Sequence, residues 1–418
     1  MKVAGVIAEY NPFHNGHQYQ LAQLRKQTGA DYIIVAMSGS FLQRGVPAIV
    51  DKYTRTKMAL ENGADLVIEL PVLWSTSSAE YFAHAGVGLL CKTGVVEAIG
   101  YGVEQKQPKL ISALVTLLND SPDAYGQGLS RYQREGLSFP LARAAVLSEL
   151  LPQYSAEQLQ AFLNQPNNIL SLEYEKALAK WNTLTGCTIA GLPIERIGDG
   201  YHNKNVNSAY ASATAIRNLL DAQPEMIPEQ KLMPLSASAA LLDACSQGLT
   251  LSADDFSCAL YYKLLSEQEK GYERYADCTP DLSRKIVNHI SDYTGFCNFC
   301  SLLKSKDLTY TRISRVLLHI LLGITKEDYS LGASLSYIPY LRALGFKKDA
   351  APLLTEIKKN ASVPLITKVA DAKKRIPENA YPLFALDLYA ANLYRGIACT
   401  HSGYALPNEF TTEIILAD

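Results

Sequence analysis

The sequence predicts an α/β protein: a doubly wound domain with a parallel sheet, followed by a mainly α-helical C-terminal part. Three observations carry this. Short, near-continuous apolar runs recur between Lys2 and Gly102, each separated from the next by a helical pattern. Strands of that kind are buried on both faces, which calls for parallel pairing with helices above and below the sheet. The strand signals thin out after residue 106, and the pattern from Ala239 to Leu322 is helical throughout.

The elements follow in order. Lys2–Ala8 reads as a buried strand, Glu9–Gly16 as a polar loop and His17–Gln27 as a helix. Asp31–Met37 is a second strand, and Ser38–Val50 a loop carrying Gly39, Gly45 and Pro47. In the helix Asp51–Asn62, Asp51 is the N-cap, Met58 and Leu60 lie towards the core and Gly63 ends it. Ala64–Leu70 is a third strand stopped by Pro71, Ser77–Cys91 a helix and Val95–Gly102 a fourth strand. A helix at Asn168–Trp181 and a strand-turn-helix at Thr188–Leu220 belong to the same unit. The proline-bearing stretch Ala222–Ser238 reads as a linker. The expected division is therefore 1–222, a linker at 223–238, and a helical part at 239–418 with breaks at Gly271, Pro280 and Gly295. Its remainder is mixed, with short helices at 340–360 and 383–395.

With 418 residues, 48% apolar and 19% charged, the chain has ordinary globular composition and enough mass for two or three domains. Its 39 basic and 41 acidic residues leave a net charge of −2, so any nucleic-acid surface must be a local patch. Eight scattered cysteines form no disulfide framework, and a reducing compartment is the simpler expectation. The apolar stretch at the N-terminus is too short for a signal-peptide core, and no run approaches the ~18 apolar residues of a membrane span. A soluble, cytoplasmic protein with no membrane association is expected. Cys297 and Cys300 have zinc-knuckle spacing, but no second pair completes four ligands, so no metal site is assigned.

The first strand runs into Asn11-Pro12-Phe13-His14-Asn15-Gly16-His17. In doubly wound folds this strand-to-helix turn is where phosphates meet free backbone N–H groups. Gly16 permits close backbone approach, and two imidazoles three residues apart can donate hydrogen bonds to a leaving pyrophosphate. The plainer alternative makes His14 a turn cap and His17 an ordinary helix residue. Downstream, Ser212-Ala213-Thr214-Ala215-Ile216-Arg217 opens a helix with hydroxyls at its start and a guanidinium one turn in, a second anion cradle.

A strand-1 HxGH paired with a late hydroxyl-rich helix start resembles the HIGH-type nucleotidyltransferase superfamily. The stretch MSGSFLQRGVPAIVDKYTRTKMALENGADLVIELP after GVIAEYNPFHNGH sharpens this. So do YGVE at 101–104, PNNILSLEY at 166–174, the strand end Ile194–Arg196, ASATAIR at 211–217 and TYTRISRVLLHILLGI at 309–324. Together they resemble the bacterial tRNA(Met) cytidine acetate ligase family, over nearly the whole chain. The resemblance implies a Rossmann-like nucleotidyltransferase domain that uses ATP to activate acetate as acetyl-adenylate. The acetyl group would then pass to N4 of the wobble cytidine of elongator tRNA(Met), giving N4-acetylcytidine. The implied ATP-binding residues are Ile7, Ala8, Glu9, Tyr10, Asn11, Pro12, Phe13, His14, Asn15, Gly16, His17, Gln18, Tyr19 and Gln20, with Gly102, Arg196 and either Asn167 or Asn168, the latter favoured. His14, His17, Ser212, Thr214 and Arg217 suit neutralisation and alignment of the triphosphate, with Mg²⁺ expected to bridge phosphates.

Other candidates stand beside these. Arg44, in the Gly/Pro-shaped loop Gln43–Pro47, together with Lys52 and Arg55, faces the ligand crevice or lies on a solvated helix face. Glu69 is either a crevice acid or a structural carboxylate. Arg312, Arg315 and His319 share one helix face opposite Ile313, Leu317 and Ile320, and Lys304 and Lys306 precede them. That stripe either holds RNA phosphates or is simply solvated. The chain departs from the family at Lys304–Leu308, where the resemblance implies a more basic run, and at Lys270–Glu273, where it implies a Glu-Gly-Leu-Glu-type segment; both touch the tRNA contacts and leave the ATP site intact. Two other functions remain open at this point: a small-molecule adenylyltransferase of the same superfamily, and a catalytically idle RNA- or nucleotide-binding protein.

Overall fold

The computed structural model describes residues 1–197, 210–224, 226–306 and 308–418. Its centre is an eight-stranded sheet in the order β5-β4-β1-β2-β3-β6-β7, with β8 also paired to β6. The strands β1 (Val3–Ala8), β2 (Tyr32–Ser38), β3 (Leu66–Leu70), β4 (Ala98–Val103) and β5 (Ala190–Glu195) run parallel. Val6 of β1 sits opposite Val35 of β2 and Gly100 of β4, so the fully buried apolar runs of the sequence line up in the middle of the sheet. The expected parallel α/β core is present.

Helix α1 spans Asn15–Thr28 and begins two residues earlier than its apolar periodicity indicates, because His14 and His17 form a capping box. Helix α2 (Lys52–Leu60) starts as expected at Asp51, whose carboxylate accepts from the N–H groups of Tyr53 and Thr54. Helix α3 spans Ala79–Lys92, and α4, Pro166–Thr185, starts with proline in its first turn. Helix α5 (Ala213–Ala222) carries Ser212 as its N-cap. The turn expected between β5 and α5 falls in 198–209, outside the described residues.

Between β4 and α4 four helices, Pro108–Asp120, Pro122–Arg134, Phe139–Leu150 and Ala156–Leu163, close around their own small core of Leu110, Leu114, Val146, Leu147, Leu159 and Phe162. The chain beyond 239 is mainly helical, including α6 (Tyr310–Leu322) and α7 (Tyr381–Ser402). It also returns to the sheet. The segment expected to open a helix at 340 is instead the strand β6 (Leu341–Lys347), antiparallel to β3, with β7 (Leu365–Ile366) and β8 (Ile415–Ala417) beside it. Apolar packing likewise crosses residue 239: Ile34, Ile68 and Trp74 share a core with Leu317, Ile320 and Phe384. The stretch expected to be a linker is packed as well. Ile227, Leu232 and Met233 are buried, and the Asn15 side chain donates to the Lys231 carbonyl at 2.6 Å.

Candidate active site

At the carboxyl edge of the parallel strands lies a cleft of about 550 Å³. Because β1 is central, the loop that follows it forms the floor. The imidazoles of His14 and His17 stack there, with centroids 3.7 Å apart. Nδ1 of His14 accepts from the N–H of Gly16 at 3.1 Å, and Nδ1 of His17 accepts from the N–H of His14 at 3.3 Å. A neutral imidazole that accepts at Nδ1 carries its proton at Nε2. Burial, reinforced by Arg196 and Arg217, brings His14 down to about 3; burial, His14 and Arg196 hold His17 well below the usual histidine range. Both rings are therefore neutral Nε2–H donors near pH 7.

Facing them, Ser212 caps α5 by accepting from the N–H of Ala215 at 3.1 Å. One turn on, Arg217 reaches back to the carbonyl of Asn11 at 2.6 Å and to the hydroxyl of Thr214 at 3.1 Å. Arg196, at the end of β5, lies 3.5 Å from the amide oxygen of Asn167 on α4. Among described charged residues the cleft is lined by Arg44, Arg196 and Arg217 against the single carboxylate of Glu9. That excess of guanidinium, with N–H donors from two helix starts, suits a polyphosphate.

The loop after β2 closes the remaining side. Ser314 of α6 donates to the Gly45 carbonyl at 2.9 Å, and Tyr394 of α7 donates to that of Ala48 at 2.9 Å. Gly45 has φ +76°, and a Cβ there would collide with the backbone of Ser314 and Arg315. Gly45→Ala is expected to cost about 2 kcal/mol or more, through both the left-handed backbone and the overpacking, read as a lowered thermal midpoint. An unchanged midpoint would show that this loop is not clamped on α6.

The chain resembles known proteins along its length. A family model described as HIGH nucleotidyl transferase matches residues 1–404. The tRNA(Met) cytidine acetate ligase of Clostridium kluyveri is 35% identical over 422 residues, covering 100% of both chains. The chain belongs to the tRNA(Met) cytidine acetate ligase family. The Acetivibrio thermocellus member is 34% identical over 425 residues, again across 100% of both chains. A crystal structure of Thermotoga maritima TmcAL in its apo form superposes with a TM-score of 0.90 at 28% identity, covering 100% of this chain and 99% of that one. A second, bound with alpha-thio ATP, gives 0.88 at 28% identity with the same coverage.

In this member of the ligase family, Ile7 to Asn11, His14, His17, Gln20, Gly102, Arg196, Ser212, Thr214, Arg217 and Arg44 all line the cleft. Others from the expected ATP loop support it from behind. Phe13 and Pro12 are buried, Gly16 serves as donor to His14, and Asn15 holds Lys231. Gln18 donates to Asn62 at 3.3 Å, and Tyr19 meets the ring of Tyr210 edge-on.

Of the asparagine pair, Asn167 lines the cleft and the favoured Asn168 does not. Asn168 is buried and spends its side chain on the Glu104 N–H at 3.2 Å and the Phe162 carbonyl at 3.4 Å, whereas Asn167 lines the cleft. Adjacent residues on a helix point about 100° apart, which places the two side chains in different surroundings. Asn167→Ala is expected to raise KM for ATP about tenfold at unchanged stability; Asn168→Ala is expected instead to cost about 1–3 kcal/mol by leaving the Glu104 N–H unpaired. Steady-state kinetics and thermal melts on both variants decide this, and a tenfold KM effect confined to Asn168→Ala would reverse the assignment.

Lys52 and Arg55 are also corrected: neither reaches the cleft. Lys52 is buried and bonds Glu69 at 2.9 Å and Glu409 at 2.9 Å, while Arg342 sits 3.0 Å from Glu69 and also pairs with Glu409. Glu69 is thus structural. Arg55 is fully buried and donates to the carbonyls of Glu9, Ser38, Gly39 and Val50, pinning the ends of β1 and β2.

The basic stripe of α6 is partly neutralised, since Arg312 and Arg315 each lie 3.3 Å from Asp277. His319 is buried between Thr76 and the Ala276 carbonyl. Lys304 and Lys306 are exposed; Asp307 between them and Leu308 lies outside the described residues. Sequence reasoning missed the apolar and hydroxyl lining from Phe82, Tyr101, Leu170, Tyr174 and Thr311. Their periodicity signals burial alone, and nothing in it marks which buried face adjoins a cavity.

Proposed function

We propose that this protein activates acetate with ATP as acetyl-adenylate, releasing pyrophosphate, and transfers the acetyl group to N4 of the wobble cytidine of elongator tRNA(Met). A cytoplasmic location goes with that substrate. The observation that carries the proposal is the opposed pair of anion cradles, His14/His17 and Ser212–Arg217, across the carboxyl edge of the sheet in a chain of this family.

ATP would lie with its adenosine towards Gly102, Asn167 and Arg196, and its phosphates between the imidazoles and the start of α5. Attack of the acetate carboxylate on the α-phosphorus needs the pyrophosphate held in line and its growing charge neutralised. The Nε2–H groups, the N–H groups of α5 and the Arg217 guanidinium supply preorganised positive potential for that. Mg²⁺, if bound with the triphosphate, would screen its charge.

In the second step the exocyclic amine must be brought against the mixed anhydride with water excluded, and the lining from Phe82, Leu170 and Tyr174 suits that exclusion. Lys304, Lys306, Arg312 and Arg315 are the proposed contacts to RNA phosphates, Arg312 and Arg315 in competition with Asp277. The test is incubation of purified tRNA with ATP and labelled acetate, followed by nucleoside analysis. Label in N4-acetylcytidine of elongator tRNA(Met) supports the reading; ATP–pyrophosphate exchange that responds only to a phosphorylated metabolite overturns it.

A further inference from the structure

Transfer of the acetyl group leaves a proton to be removed. The N4 lone pair forms a bond to the acetyl carbonyl carbon, the bond to the AMP phosphate oxygen breaks, and one N4 proton must go elsewhere. Among the titratable groups lining the cleft, the acceptor needs a free lone pair basic enough to hold that proton. His14 and His17 have none, because Nδ1 of each is taken by a backbone N–H and Nε2 carries hydrogen. Arg44, Arg196 and Arg217 are cations and donors only. The phenols of Tyr10, Tyr101 and Tyr174 are pushed up by burial and stay protonated.

Glu9 is left, the one carboxylate lining the cleft among the described residues. It directly follows β1, the central parallel strand, so it stands between the β4–β5 side, where Gly102 and Arg196 lie, and the β2 side that carries Gln43 and Arg44. One oxygen, Oε1, accepts from the N–H of Gln43 at 2.8 Å, which fixes the carboxylate while the second oxygen keeps its acceptor capacity. The loop that supplies this N–H is itself anchored by Ser314 through Gly45. Burial raises the Glu9 carboxyl above the usual range, opposed by the Gln43 N–H and by Arg44, Arg217 and Arg55. A raised carboxyl is a better proton acceptor at neutral pH.

Resting on the ligase reading, we propose that Glu9 is the catalytic residue that accepts the N4 proton of the cytidine during acetyl transfer, a role beyond its place in the ATP-binding loop. Glu9→Gln separates the two roles, since its amide oxygen still accepts from the Gln43 N–H. Three readouts are needed on purified protein: acetate-dependent ATP–pyrophosphate exchange, capture of the activated acetyl by hydroxylamine, and single-turnover transfer to tRNA(Met).

Hydroxylamine is nucleophilic without a base, so it reports acetyl-adenylate alone. In Glu9→Gln, transfer to tRNA is expected to fall ~100-fold or more beyond any fall in exchange and hydroxamate formation. Glu9→Asp with an intermediate transfer rate, and an unchanged thermal midpoint in both variants, would support the assignment. Transfer within ~3-fold of wild type in Glu9→Gln overturns it, and so does an equal fall in all three readouts, which places Glu9 in adenylation. Absence of acetate-dependent exchange in the wild-type protein would instead bring down the ligase reading, and this assignment with it.

Discussion

His17→Ala is expected to lower acetate-dependent ATP–pyrophosphate exchange by about 10²- to 10³-fold, the usual loss when one preorganised donor to a developing anion is removed. The effect should fall on kcat more than on KM, because the Nε2–H bond strengthens as charge moves onto the departing pyrophosphate. His17 also caps α1 through its capping box with His14, so a stability loss of about 1 kcal/mol should accompany it. The two losses are separable. If exchange falls only as far as the folded fraction falls, His17 is a helix cap and nothing more, and the phosphate cradle on this side of the cleft is misassigned.

The second large effect lies away from the cleft. Glu409→Gln is expected to destabilise the fold by about 3–5 kcal/mol, measured by denaturant or thermal unfolding. Glu409 is buried in a four-membered cluster with Lys52, Arg342 and Glu69, two cations balanced by two carboxylates. Removing one carboxylate leaves a buried excess of positive charge whose desolvation is no longer offset. Burial alone would raise the Glu409 carboxyl, but Lys52 and Arg342 outweigh it and hold it well below the ordinary carboxylate range. A carboxyl depressed in the folded state stabilises above its unfolded pKa, and that contribution is lost as pH falls through the folded value. The variant should therefore lose part of the wild type's acid-side decline in stability. A midpoint within a degree of wild type would show that the cluster is not what fastens the C-terminal segment to α2, β3 and β6.

That cluster also shows where local reading stops. The five parallel strands, the N-cap at Asp51 and the HxGH turn were legible because each rests on a periodicity or a short-range hydrogen bond. Strand β6 was not. Leu341–Lys347 carries Arg342 at its second position, which reads as polar until Glu69 and Glu409 are seen beside it. Lys52 and Arg55 could be read either as ligand-facing cations or as a solvated helix face, and both are instead buried. A charged side chain near a crevice and one buried in a matched cluster have the same sequence signature, and only their partners differ.

By itself the sequence determined the class of fold, the HxGH and Ser212–Arg217 segments that line the cleft, and the family. All of these depend on contacts within a few residues or on a motif of fixed spacing. Tertiary structure alone decided which of Asn167 and Asn168 faces the cleft, which cations are spent on buried carboxylates, and that Glu9 is its lone carboxylate among the described residues. Those outcomes depend on segments far apart in the chain, such as β3 and β6 or Gly45 and Ser314, meeting in space. Burial and charge pairing are properties of that meeting, and no residue carries them alone.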